Sequence, residues 1–408
     1  MSTEVHLDWR GETRLVGILH STERSEAVTF EYTRDWLAWS DAFAIDPTAL
    51  PLQRGPHHSA SLFGAFQDCG PDRWGRVLIE RAVRKRLLAN KPFRDLDYVL
   101  ALDDFSRIGA LRFRQTGPFL AESMGKLPPL VQLHALLRAA DAIHGESETA
   151  ADLRFLLGAG SPLGGARPKS AIRLTDGQLG IAKFPKPDDT RDIAAGEILA
   201  LTLATAAGIQ TPAHRLVRVK NQSVAVIARF DRTEELERIP FLSAHSLLGL
   251  SPGESGAYTI LADGIRRFGD SAQSDLRELW RRLIFSLLVS NYDDHMRNHA
   301  FLMKSPGHWA LSPAYDINPV PEIDRSRMNK TPISEESAEP SIAAALSEAK
   351  RFGLKLAEAR AILAEVYEVV SGWRKIGRKL GLKAPVLDSY ASAFEQPLAA
   401  EAKAVLGK

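Results

Sequence analysis

From Leu276 the apolar residues Leu279, Leu283 and Leu287 recur at helical spacing up to Val289, the pattern of a strongly amphipathic helix with one face to bury. That helix runs directly into Ser290-Asn291-Tyr292-Asp293-Asp294-His295-Met296-Arg297-Asn298-His299-Ala300-Phe301. A helix anchored by its apolar face delivers this polar run to a fixed place. Two groups in it, Asp293 and Asn298, have four residues between them. A short strand is expected at Trp309-Ala310-Leu311, and Pro313-Ala314-Tyr315-Asp316 follows.

An Asp, an Asn five positions on, and a second Asp beyond a short connection is the order of polar groups in a protein-kinase active site. There the first Asp accepts the substrate hydroxyl's proton, while the Asn and the second Asp hold Mg²⁺. Such a site also requires a phosphate cradle and a lysine upstream. The densest glycine stretch is Gly158-Ala159-Gly160-Ser161-Pro162-Leu163-Gly164-Gly165-Ala166-Arg167-Pro168-Lys169. Glycines let backbone N–H groups approach an anion closely. The stretch matches neither the dinucleotide nor the P-loop pattern, so alone it reads as a turn.

Two strands are expected next, Ser170–Leu174 and Leu179–Phe184. The second carries Lys183 inside an apolar run, where a buried ammonium needs an anion. Its Ile-Ala-Lys context is close to the kinase strand whose lysine meets the nucleotide's phosphates. Glu197, at the start of a helical run over Ile198–Ala207, is either the carboxylate that orients this lysine or an acid favoured by the helix dipole. Val224 to Arg232 reads as a buried strand ending in charges. In a kinase it leads into the hinge, with backbone near Ala228 to Phe230 meeting adenine.

The other segments set bounds. A chain of 408 residues is too long for one ordinary core. With 25% charged and 45% apolar residues and a net charge of +2, it has the balance of a folded protein with no global pull towards nucleic acid or anionic membrane. Cys69 is the single cysteine, which excludes an internal disulfide and suits a reducing compartment. Met1 to Arg10 lacks the apolar core of a signal peptide, and the apolar run near Leu283 to Val289 is far shorter than a bilayer span. A cytoplasmic protein is expected.

Residues 5–45 read as β-rich, and Pro71 suits the first turn of a helix bearing Arg76, Arg81, Arg84, Lys85 and Arg86. That basic face is either solvated or a partner surface. Residues 126–157 read as helical, residues 318–345 as a long loop, and Ile362, Val366, Val369 and Trp373 mark a closing helix.

Other chemistries fit less well. His295 and His299 share a helical spacing, but Met296 stands where a zinc protease motif has Glu. No G-x-S-x-G elbow exists for a serine hydrolase. Asp293, Asn298 and Asp316 can also be read as caps and turns; the ordered series of glycine-rich loop, strand lysine, Asp-x₄-Asn and Asp after a strand weighs against it.

With these residues together, the chain resembles the HipA family of bacterial serine/threonine kinases, toxins of type II toxin–antitoxin modules. The resemblance runs through Gly164 to Lys169, Ala182-Lys183-Phe184, Ala228 to Arg232, Asn291 to Asn298 and Pro313 to Asp316, and includes Pro71-Asp72-Arg73-Trp74-Gly75-Arg76. It implies an α+β, two-lobed protein-kinase-like fold with an additional small mixed α/β N-terminal domain and a helical C-terminal lobe. The expected spans are 1–125 for the N-terminal domain, 126–232 for the kinase N-lobe and 233–408 for the C-lobe.

It further implies ATP and Mg²⁺ as cofactors. Asp293 is then the base, Asn298 and Asp316 the metal ligands, and Lys183, Gly164, Gly165, Ala228, Phe230 and Glu197 the ATP site. By the same resemblance the partner is a HipB-like helix-turn-helix antitoxin that brings operator DNA, and the substrate is a cellular protein such as an aminoacyl-tRNA synthetase, phosphorylated to arrest growth. A loop serine is autophosphorylated in the family to silence the kinase, and Ser161 is the only hydroxyl residue between Gly158 and Lys169. Charged Asp294 departs from the small residue expected there. The alternatives are a catalytically idle module that serves as an antitoxin-binding co-repressor, and a small-molecule kinase.

Overall fold

Arg10 and Gly11 both have positive φ, 54° and 75°, the geometry of a two-residue hairpin turn whose twist matches its strands. Strand β1 (Ser2–Trp9) therefore folds back on β2 (Glu12–Ser21), with Trp9 opposite Glu12. Strands β3 (Val28–Tyr32), β4 (Pro56–Ser59) and β5 (Leu111–Arg114) complete a sheet of order β4-β3-β2-β1-β5, its four neighbouring pairs antiparallel. Val5, Val16, Leu19, Phe30 and Phe113 are wholly buried on it. The computed structural model describes residues 1–408 apart from 24, 90, 120–126, 159–166, 252, 326–329, 338 and 408.

The chain forms two units. The first is Met1–Asp188 with Arg218–Gly249 and Ser305–Gly307; the second is Asp189–Val217, Leu250–Lys304 and His308–Lys408.

In the first unit, strands β6 (Lys169–Arg173), β7 (Leu179–Lys183) and β9 (Gln222–Ala228) pair antiparallel in the order β6-β7-β9. Strand β8 (His214–Val219) carries the chain in from the second unit, and β10 (Phe241–Ser243) follows β9. The helix Arg73–Arg84 is capped by Asp72, whose Oδ1 accepts from Gly75 N at 2.7 Å, so Pro71 stands outside the helix rather than in its first turn. Three of its basic residues are paired: Arg76 with Asp95 at 2.8 Å, Arg81 with Glu148 at 2.9 Å and Lys85 with Glu148 at 3.8 Å. Arg81 and Glu148 are themselves largely buried, so this part of the face is packed within the chain.

After β9 the chain enters a buried ionic knot. The Asp231 carboxylate accepts from Arg229 Nε at 2.7 Å, Arg232 Nη1 at 2.6 Å and the Gly109 amide at 2.8 Å. Arg232 and Arg229 also donate to the Arg107 carbonyl, at 2.8 and 3.1 Å, and Arg238 to the Asp104 carbonyl at 2.6 Å. Burial pushes the Asp231 carboxyl up, but Arg229 and Arg232 outweigh it and hold it well below the carboxylate range. A buried charge is tolerable only with such partners.

The second unit is built on the helix Ala272–Leu288, which buries Leu276, Leu279, Trp280, Leu283, Ile284 and Phe285. It packs against the helices Tyr258–Phe268 and Leu356–Ser371. The closing helix stops at Ser371, and Trp373 begins the next one after Gly372. The helix Ile193–Ala206 is apolar nearly all round and buried. It starts five residues earlier than the sequence suggested, because Asp192 caps it through Ala195 N at 3.0 Å. At Gly196 a Cβ would lie 2.3 Å from the Tyr390 hydroxyl, which donates to the Asp192 carbonyl at 3.0 Å. Only glycine admits that ring. Strands β11 (Ala300–Ser305) and β12 (His308–Leu311) follow one another after the polar run. Among the described residues no helix is long and apolar enough to cross a membrane.

Candidate active site

The helix Ala272–Leu288 ends at Ser290, whose φ of 56° is the left-handed conformation that closes many helix C-termini. Its last carbonyls find partners from far along the chain: Gln396 Nε2 donates to Leu287 O at 2.6 Å and to Leu288 O at 3.3 Å. Ser290 Oγ donates to Ala393 O at 2.8 Å. The loop that follows is thus held rigidly at its root. Asp293 projects from it into solvent, while Asn298 is buried and donates from Nδ2 to the Asp293 carbonyl at 3.3 Å. The amide is turned back on its own loop, and its oxygen, the atom a hard cation takes, is the opposite end.

Asp316 lies on a second loop, at φ 57°, a conformation Asp tolerates better than most residues. Asn318 Nδ2 donates to its Oδ1 at 3.3 Å and to its carbonyl at 3.2 Å. Three hydrogen bonds stitch the two loops together. Asn318 N donates to Asn291 Oδ1 at 3.0 Å, Val320 N to Ser290 O at 3.0 Å, and Tyr315 OH to Arg297 O at 2.7 Å. Arg282, buried on the helix, fixes the approach to the second loop by donating to Ser312 O at 2.7 Å. The structure thus joins the loop of Asp293 and Asn298 to that of Asp316.

Asp294 explains its own departure from expectation. It faces the interior, where Tyr258 OH donates to Oδ2 and His299 Nε2 lies 3.1 Å from Oδ1. Burial pushes its carboxyl up, yet His299 and Tyr258 outweigh that and hold it below the ordinary value. Burial and the Asp294 charge raise the Tyr258 phenol well above its usual range. His299 stands edge-on to the Tyr258 ring with centroids 5.3 Å apart. The helix Tyr258–Phe268 therefore grips the loop through the residue next to Asp293. Among the described residues no group of three or more His, Cys, Asp or Glu is placed to hold a metal ion.

A further segment crosses this loop. Lys330 N donates to Tyr292 O at 3.4 Å, Thr331 Oγ1 to Asp294 O at 3.0 Å, and Lys330 Nζ meets Asp293 Oδ1. The same segment accepts from the helix start, Tyr258 N to Pro332 O at 3.0 Å and Thr259 N to Ile333 O at 3.2 Å. Part of the expected long loop is therefore tied down, with Thr331 and Ile333 buried.

In the first unit Lys183 ends β7, half-buried, opposite Ala225 of β9 and Lys169 of β6. Lys169 is buried against Asp72, and Trp74 Nε1 donates to the Lys169 carbonyl at 3.1 Å. The Asp72 and Trp74 of the N-terminal motif thus fix the strand that leaves the glycine-rich stretch. Ala228 and Phe230 are half-buried and alternate with buried Arg229, whose N–H donates to Leu179 O at 2.9 Å. Glu197 belongs to the second unit, buried one turn inside its helix. Ser161, Gly164 and Gly165 lie outside the described residues.

Sequence reasoning missed Lys330, Tyr258 and the Asp72–Lys169 pair. Nothing local marks Lys330, which reaches Asp293 across 37 positions. His295 and His299 were visible at helical spacing and Asp294 as an unexpected charge, but nothing local showed that Asp294 and His299 meet each other beside Tyr258.

The family of HipA-like C-terminal domains matches residues 161–373, and that of HipA N-terminal domains matches residues 7–114. A Haemophilus influenzae protein named "Putative kinase" is 26% identical over 166 residues, 36% of this chain and 48% of that protein. "Putative kinase Y4dM" of Sinorhizobium fredii is 29% identical over 162 residues, 35% of this chain and 38% of that protein. The chain spans less than half the length of either curated relative. Among solved structures, a chain of the Shewanella oneidensis MR-1 toxin–antitoxin complex of HipA, HipB and operator DNA is similar with a TM-score of 0.71 and 19% identity. The likeness covers 99% of this chain and 97% of that one, and shows the α+β, protein-kinase-like fold. With both domain families matched in order over most of its length, the chain belongs to the HipA family.

Proposed function

We propose that the protein is an ATP- and Mg²⁺-dependent serine/threonine protein kinase of the HipA toxin type. The observation that carries this reading is the stitching of the Asp293–Asn298 loop to the Asp316 loop by three hydrogen bonds. It gathers one carboxylate in solvent, one buried amide and one further carboxylate, the groups phosphoryl transfer requires. The substrate hydroxyl gives its proton to Asp293 as its oxygen bonds the γ-phosphorus of ATP. The bond from that phosphorus to the β–γ bridging oxygen breaks, and its electron pair leaves with ADP.

The Asn298 amide oxygen and the Asp316 carboxylate suit a hard cation that takes oxygen ligands. Magnesium, when bound, neutralises phosphate charge. Lys183, with backbone from Gly164 and Gly165, holds the phosphates in this reading; Glu197 orients the lysine, and Ala228 to Phe230 meet adenine. Catalysis is then mostly positioning and charge.

The family and its solved toxin–antitoxin complex support a HipB-like helix-turn-helix partner, with operator DNA reached mainly through it, in the cytoplasm. The substrate class is a cellular protein such as an aminoacyl-tRNA synthetase. Autophosphorylation at Ser161 adds about −1.5 to −2 charge and drives the loop from the nucleotide.

Purified chain incubated with ATP, with and without Mg²⁺, tests the reading. Mg²⁺-dependent ADP release that Asp293→Asn abolishes, with ATP binding retained, is expected. ATP binding without turnover identifies the idle co-repressor instead. Phosphate found by mass spectrometry anywhere but Ser161, in an active preparation, removes the autoregulatory part.

A further inference from the structure

The ammonium of Lys330 on Asp293 Oδ1 is an unusual use of an ion pair. Both side chains are more than half exposed, 56% and 60%, and a pair so placed contributes at most about 1 kcal/mol to folding. Yet the backbone that carries the lysine is fixed at four points over the catalytic loop and the helix start. Thr331 is 2% exposed and Ile333 1% exposed. A rigid mount for an exposed cation stabilises little, but it aims the cation at one oxygen of the Asp293 carboxylate. Rigid mounting is what a site needs to hold a reacting group in its productive geometry.

We infer that Lys330 is the positioning residue of Asp293: it holds Oδ1, so that Oδ2 is presented to the substrate hydroxyl. The inference rests on the kinase reading for the role of Asp293, and adds a residue from outside the Asp-x₄-Asn loop. The ammonium takes no proton and gives none in the step; it fixes which carboxylate oxygen receives the hydroxyl proton.

The test uses full-length protein, Mg-ATP, ADP release and phosphate incorporation by mass spectrometry. Lys330→Met is expected to lower kcat by about 10²-fold, the effect of a misplaced reacting group, with KM for ATP within about twofold and an unchanged thermal midpoint. Lys330→Arg restores most of the rate. A Lys330→Met enzyme as fast as the wild type overturns the inference. So does a faster enzyme, since the ammonium would then be masking the base.

Failure of the kinase reading shows separately, as wild-type protein that binds but never consumes ATP. The pairing is then judged by acetic anhydride labelling: faster acetylation of Lys330 in Asp293→Asn than in wild type supports it, and equal rates overturn it.

Discussion

Lys169 faces Lys183 directly across the β6–β7 ladder. Residues opposite one another in an antiparallel pair project to the same face, and like charges there repel. Only Lys169 is buried, and it is the one that meets Asp72, with both side chains 2% exposed. Asp72 therefore has two tasks, capping the helix Arg73–Arg84 and neutralising the lysine beside Lys183.

Asp72→Ala is expected to cost about 3–5 kcal/mol, since it removes the buried carboxylate that pairs with Lys169 as well as a cap. Asp72→Asn keeps the cap and loses the charge, so it should recover about 1 kcal/mol of that. Urea unfolding measures both, and a loss under about 1 kcal/mol for the alanine variant would show that Lys169 is satisfied by other means.

Lys183→Met removes the half-buried cation at the end of β7. ATP affinity should fall at least about tenfold, or about 1.4 kcal/mol. Calorimetric titration with Mg-ATP gives the affinity; unchanged binding would take Lys183 out of the nucleotide site.

Asp316→Asn preserves the left-handed backbone at φ 57°, which asparagine also tolerates, and deletes one negative charge. Nucleotide binding in this variant and in Asn298→Ala should lose most of its Mg²⁺ dependence. Titrating ATP at several Mg²⁺ concentrations checks it, and wild-type dependence in both variants would move the metal elsewhere.

Asp231 carries an acid-side dependence. Its folded-state proton affinity is depressed by Arg229 and Arg232 despite burial. Its contribution is therefore fully present above the unfolded value, about 3.9, and is lost as pH falls below it. Asp231→Asn should cost about 3–5 kcal/mol at neutral pH and flatten this acid limb. Unfolding curves from pH 7 to 3 would show an unaltered slope if other carboxylates govern it.

Local patterns in the sequence located the secondary structure well. The period-2 runs around Val5, Val16 and Phe30 became strands, and the spacing from Leu276 became the central helix. Single boundaries slipped where a cap lay hidden: Asp192 starts its helix well before Glu197, and Asp72 excludes Pro71. Asp293, Asn298 and Asp316 were visible because their chemistry forces a short spacing. What joins them was not, because Asn318, Tyr315 and Lys330 act through backbone carbonyls or across long separations that leave no periodicity. Arg229 and Asp231 looked like a strand's polar end; their burial depends on carbonyls of residues 105–109, over 120 positions away.

Tyr390 closing on Gly196 also sets a clock. Its bond to Asp192 spans 198 positions, and a ribosome adds about 5–20 residues per second. The seat beside Glu197 therefore stays unfilled for about 10–40 s after the helix itself has been synthesised. During that interval the nascent chain carries its lysine strand, and later its acidic loops, without a finished core around that helix.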